Sequence, residues 1–133
     1  MEKENYCFVC SKNNPKGIHL DIEREGPDEA IARFVLDREY EGYPGIIHGG
    51  VIAAIIDDVM GNIEFRKGYI AYTVELNIKY IKKCLVKEPL IARGMIKNFS
   101  HRIIETQGEV FDSLGDIRVM ASAKYFVIGR YKK

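Results

Sequence analysis

The chain has 133 residues, 47% of them hydrophobic and 29% charged, the balance of a folded globular protein rather than a disordered one. With 20 basic and 19 acidic residues the formal net charge is +1, so no global field recruits nucleic acid or a membrane surface. The length suits one domain, residues 1–133, with enough chain for a genuine core.

The opening Met1-Glu2-Lys3-Glu4-Asn5 holds no apolar signal-peptide core. The longest apolar stretch, around Ile46 to Ile56, is broken by His48 and is too short to span a bilayer. Three cysteines, Cys7, Cys10 and Cys84, give an odd count that favours a reduced compartment, and the expectation is a cytoplasmic protein. Cys7 to Lys16 is turn-rich. Ile18 to Arg24 alternates apolar and polar residues like a half-buried strand, Gly26-Pro27-Asp28 turns the chain, and Glu29 to Leu36 returns as the second arm of a hairpin.

Glu41-Gly42-Tyr43-Pro44-Gly45 is a loop that leads into His48-Gly49-Gly50. From Val51 to Phe65 the apolar residues recur with helical spacing, the one strong helix signal. After Gly68, Tyr72, Val74, Leu76, Ile78 and Tyr80 alternate with Thr73, Glu75, Asn77 and Lys79. Three further strands follow at about 89–98, 102–111 and 117–128, with hairpin-sized separators. Arg130-Tyr131-Lys132-Lys133 reads as a solvated basic tail. Two strands, one helix and four strands predict an α+β fold with the helix across one sheet face.

The chemistry concentrates at the helix. Gly49 and Gly50 leave backbone N–H groups uncovered at the positive end of a helix dipole, a place for an anion or a developing oxyanion. Asp57, nine residues after His48, shares a line with Gly50, Ala54 and Gly61, so something approaches that carboxylate closely. Asp58 points about a quarter-turn away and is read as structural or as a rim residue. An oxyanion donor with an inward carboxylate points to acyl-group hydrolysis. Plain helix packing explains the small stripe equally well, and a histidine beside a glycine turn serves as a helix cap as readily as it holds a carbonyl.

The stretch Tyr43 to Asp57, the strand Thr73-Val74-Glu75-Leu76-Asn77-Ile78-Lys79-Tyr80, and the N-terminal Cys7-Phe8-Val9-Cys10 with Asn14-Pro15-Lys16-Gly17 together resemble the hotdog-fold acyl-CoA thioesterases of the phenylacetate-pathway and 4-hydroxybenzoyl-CoA type. The resemblance implies a curved antiparallel sheet of about six strands around one long helix. It implies homodimers, often paired into homotetramers, that bind acyl-CoA between subunits. By position, Gly49 would polarise the thioester carbonyl and Asp57 would serve as general base or nucleophile. Thr73 would position water, His48 would shape the oxyanion corner, and Gly50 and Asn77 would line the substrate. Some members carry Asn or Gln six residues before the histidine, where this chain has Gly42.

Lys97, Arg102 and His101 lie near a strand turn, where they could meet CoA phosphates or stand as solvated edge charges. Cys7 and Cys10 form a C-x-x-C without a second pair. A tetrahedral metal site would need Cys84 with His19 or His101, so the two are read as packing or loop cysteines, and neither metal nor cofactor is expected. Two other functions suit the same fold: an acyl-CoA-binding module without turnover, and a hydroxyacyl-thioester dehydratase. Asp57 after His-Gly-Gly favours the hydrolase.

Overall fold

The computed structural model describes residues 5–131, so Met1–Glu4 and the basic pair Lys132 and Lys133 lie outside it. Six strands form one sheet: β1 (Glu23–Gly26), β2 (Glu29–Phe34), β3 (Tyr69–Tyr80), β4 (Leu90–Ser100), β5 (Ile103–Asp112) and β6 (Ile117–Arg130). Every neighbouring pair is antiparallel, in the spatial order β1-β2-β4-β5-β6-β3. One helix, α1 (Gly49–Arg66), lies across one face and buries Ile52, Ile55, Ile56, Val59, Met60 and Ile63. This is the α+β hotdog arrangement that the sequence led us to expect.

The helix sits close to the sheet because the sheet is small-sided beneath it. Ala30 pairs with Gly94, Gly94 with Gly108, and Gly108 with Ala121, a row of small residues running across four strands. A Cβ on Gly94 would lie 3.0 Å from Met60 Cα, and one on Gly108 would lie 2.9 Å from Ile56 Cδ1. Larger residues along this row would push the helix away and open the core.

Two local expectations are corrected. Ile18 to Ile22 does not extend the first strand. Instead Ile18 N–H donates to Phe8 O and Leu20 N–H to Val9 O, and His19 sits at a positive φ that ends the alternation. Ile18 and Leu20 are buried all the same, against the N-terminal segment folded over them. The β3 alternation is also broken: a bulge between Thr73 and Glu75 puts Thr73 opposite Tyr125, on the helix side, and leaves Tyr72 and Val74 exposed. In the described part of the basic tail Arg130 is exposed, as expected, although both of its residues also meet an aromatic ring. Arg130 lies 4.6 Å from the Tyr69 ring centroid, and Tyr131 stacks on Phe65.

Gly108→Ala should therefore cost about 1–3 kcal/mol through overpacking against Ile56 and Met60. Gly129→Ala, where an added Cβ would meet nothing within 4 Å, serves as the control and should be close to neutral. Urea unfolding of the two variants decides the point, and equal stability would contradict close helix–sheet packing.

Candidate active site

The helix entrance is built by His48. As N-cap, its Nδ1 accepts the Gly50 N–H at 2.8 Å, which fixes the proton of a neutral ring on Nε2. Val51 N–H and Ile52 N–H turn back to His48 O. Among the described residues no acceptor takes the Gly49 N–H, the first of the helix and exposed. Tyr80, at the end of β3, donates its hydroxyl to Gly49 O at 2.6 Å and pins this corner to the sheet. A crevice of about 270 Å³ opens there between Ile46, Gly49, Ile52 and Tyr80, and includes Lys82 and Lys83 in its lining.

Asp57 forms a second cluster, two turns along. Thr73 Oγ1 lies 3.0 Å from Asp57 Oδ1 and 3.2 Å from Oδ2. Tyr125 Oη lies 2.8 Å from both Asp57 Oδ1 and the Asp57 carbonyl. Gly61 makes room for Tyr125: a Cβ there would stand 3.3 Å from Tyr125 Cε2. The small stripe along the helix thus has specific occupants, the His48 ring at Gly50 and the Tyr125 ring at Gly61. Burial, followed by the Asp57 charge, raises the Tyr125 phenol well above its ordinary value and keeps it a hydrogen-bond donor.

Beyond Tyr125 lies Glu64, 1% exposed and with no partner on either carboxyl oxygen among the described residues. Burial, reinforced by the Asp57 charge, pushes its carboxyl up to about 8, so it is largely neutral at pH 7.

The site residues expected from sequence divide by sheet face. His48, Gly49, Gly50, Asp57 and Thr73 all lie on the helix side, in the two clusters. Asn77 pairs with Ser122 on the opposite face and donates to Glu75 Oε2 at 3.0 Å. Lys97 lines a shallow hollow there with Glu75, Glu105 and Lys124, and Arg102 lies 6.0 Å from the Phe126 ring centroid. Within one chain, the structure does not bring Asn77, Lys97 or Arg102 to Gly49 or Asp57. Sequence reasoning missed Tyr125, Glu64 and Tyr80. For Tyr125 a signal existed, a hydroxyl-bearing ring in register with Val119, Ala121, Ala123 and Val127 on an otherwise apolar strand face. The C-x-x-C also differs from expectation, since the side chain that joins Cys7 and Cys10 is Asp58 rather than Cys84 or a histidine.

A family model described as the thioesterase superfamily matches residues 44–117, more than half of the chain and all of Gly49, Asp57 and Thr73. The acyl-coenzyme A thioesterase THEM4 of Rattus norvegicus is 36% identical over 62 residues, 47% of this chain and 26% of that protein. A probable septum site-determining protein MinC of Clostridioides difficile (strain 630) is 24% identical over 111 residues, 82% of this chain and 45% of that protein. The chain therefore spans less than half the length of each of these curated relatives. Among solved structures, smu.793 from Streptococcus mutans UA159 bound to acetyl CoA superposes with a TM-score of 0.79 at 22% identity, over 85% of this chain and 91% of that one, a likeness of fold.

Glu64 should leave a mark on the pH dependence of stability. Its carboxyl titrates near 8 when folded and near the ordinary 4.5 when unfolded, so between those values the folded state holds the extra proton. The stability it contributes is complete below about 4.5 and is lost as the pH rises to about 8. Glu64→Gln should flatten this decline in thermal melts taken across the range; the same decline in both proteins would place its origin elsewhere.

Proposed function

The chain belongs to the thioesterase superfamily, and on that premise we propose that it hydrolyses an acyl-CoA thioester to the free acid and CoA, in a site shared by two subunits. The spacing of Gly49 and Asp57 carries this reading. Eight residues of α-helix separate them by about 12 Å along the axis. A reacting carbonyl needs an oxyanion donor and a base or nucleophile each within about 3 Å, so Gly49 and Asp57 of one chain cannot serve the same substrate.

The edge strand supplies the remedy. β3 pairs with β6 on one side only, is 12 residues long, and exposes Tyr72 and Val74. Such an edge invites a matching strand, and an antiparallel two-fold pairing of β3 with its copy would satisfy it. Thr73 marks Asp57 along this strand and Tyr80 marks Gly49. A two-fold between Leu76 and Asn77 brings the Asp57 cluster of one subunit to the Gly49 corner of the other. Two sites follow per dimer.

In each, the Gly49 N–H donates a hydrogen bond to the carbonyl oxygen as negative charge develops on it, a contribution of about 3–4 kcal/mol to lowering the barrier. His48 holds that corner by capping the helix. Asp57 of the facing subunit takes a proton from water as the water oxygen bonds to the acyl carbon, or bonds to that carbon itself. On the water route the carbon–sulfur bond then breaks and the CoA sulfur leaves with the proton that Asp57 took. On the nucleophile route CoA leaves as the thiolate, and a water hydrolyses the acyl–Asp57 anhydride to the free acid and the restored carboxylate, releasing the proton that the thiolate takes up. The water route adds roughly 10²–10⁴-fold. Thr73 and Tyr125 orient the carboxylate. With its hydrogen given to Asp57, Thr73 Oγ1 offers lone pairs to the attacking water.

Lys82 and Lys83, on the crevice that contains Gly49, are better placed for CoA phosphates than Lys97, Arg102 or Asn77. Those three serve the CoA end only if the ligand passes around the sheet edge. The CoA-bound streptococcal structure of the same fold and the acyl-CoA thioesterase relative support the substrate class. We further propose that residues 1–133 act as one cytoplasmic domain. The free thiols of Cys7, Cys10 and Cys84 suit that compartment.

Thiol release from a panel of aromatic and aliphatic acyl-CoAs tests the reading. Asp57→Asn should lower kcat by about 10²–10⁴-fold with the fold intact. Gly49→Pro removes an N–H at a helix position where proline is tolerated; a Cβ there would stand at ordinary contact, 3.5 Å, from the Tyr80 hydroxyl, and His48, at ψ 132°, already has the extended backbone a following proline requires. It should lower kcat by about 10²–10³-fold. Full activity in either variant contradicts the assignment. Acyl-CoA binding without turnover in the unaltered protein would instead indicate a binding module.

A further inference from the structure

Apart from the thioester site, we propose that Cys7, Cys10 and Asp58 form a zinc site that clasps the N-terminal segment onto α1. The two sulfurs and a carboxylate oxygen all lie within 4.8 Å of one another. Cys7 Sγ is 3.5 Å from Asp58 Oδ1. Tetrahedral zinc, with Zn–S near 2.3 Å and Zn–O near 2.0 Å, sets sulfur and oxygen about 3.5 Å apart.

The Cys10 N–H donates to Cys7 Sγ at 3.4 Å, and the Ser11 N–H to Cys7 O at 3.0 Å, so the C-x-x-C is wound into a tight turn with an amide aimed at sulfur. Asp58 stands on the rigid middle of α1, and its Oδ2 is buried with no partner among the described residues. A buried carboxylate oxygen left in that state is costly, and a cation removes the cost. Asn62, one turn along the same helix face, likewise has a buried Oδ1 with no partner among the described residues. A water or that amide would complete four-coordination. Two thiolates with one carboxylate suit zinc and not magnesium or calcium, which take oxygen alone.

The segment held in this way carries Val9, Ile18 and Leu20 into the core. The clasp therefore steadies the helix turn next to Asp57 without touching substrate. Its role is structural, and it stands whether or not the chain hydrolyses thioesters.

The test uses tag-free, reduced protein loaded with zinc and freed of excess metal. One zinc per chain should remain, the melting temperature should fall on chelation, and cobalt in place of zinc should show sulfur-to-cobalt charge transfer with the intense visible bands of a tetrahedral centre. Cys10→Ser and Asp58→Asn should each lose the stoichiometric metal, while Cys84→Ser should keep it. If the unaltered protein retains no stoichiometric zinc, or if Cys10→Ser retains as much, the proposal is overturned. Metal content and the cobalt spectrum are read on the unaltered protein, so a variant that fails to fold does not decide the outcome.

Discussion

The close approach of α1 to the sheet, over the row Ala30, Gly94, Gly108 and Ala121, is the constraint on which the rest depends. A sheet with no side chains beyond a methyl along that row lets the helix backbone come almost into contact with the strands. The helix is then fixed in rotation as well as height. With Ile52, Ile55, Ile56, Val59, Met60 and Ile63 committed to the core, Asp57 has only the side toward β3 and β6 left to it. Thr73 and Tyr125 meet it there, and Tyr80 meets the helix entrance from the same strand as Thr73. The positions of Asp57, Thr73, Tyr125 and Tyr80 follow from packing.

Packing is also consistent with the shared site proposed above. The polar requirements of each half are met locally: His48 satisfies Gly50, Tyr80 satisfies the Gly49 carbonyl, and Thr73 and Tyr125 satisfy Asp57. On the shared-site proposal, each half lacks the reacting partner that the other half would supply. Gly49, Thr73 and Tyr80 are all exposed in the single chain and all lie along or beside the unpaired edge of β3. A thioester already carries an activated carbonyl, so under the proposed reading pre-placed donors and a carboxylate would suffice for its hydrolysis between two subunits.

Much of this was legible in the sequence because it depends on local rules. The helix follows from apolar spacing, its start from the glycines after His48, and the later strands from alternation broken by turn residues. The parts that were not legible depend on pairing across distance. Thr73 sits in a polar–apolar alternation that assigns it to the outer face, and only the bulge opposite β6 turns it toward Asp57. Ile18 to Ile22 has the pattern of a strand, yet its backbone is claimed by Phe8 and Val9. Glu64 falls within the apolar spacing of α1, and nothing in its neighbours announces that a carboxyl would be buried there. Asp58 was separated correctly from Asp57 by helix geometry, but its meeting with Cys7 spans 51 positions of sequence.

A site divided between subunits makes a demand that no single-chain site shares. Asp57→Asn and Gly49→Pro proteins, each inactive alone, would be unfolded together, refolded as a mixture, and assayed for CoA release. Random pairing makes half the dimers mixed, and one of the two sites in each mixed dimer joins an intact Gly49 to an intact Asp57. Activity should return to about a quarter of the unaltered protein's. If the mixture stays as inactive as its components although mixed dimers have formed, Gly49 and Asp57 do not act across the two-fold and the shared site is wrong.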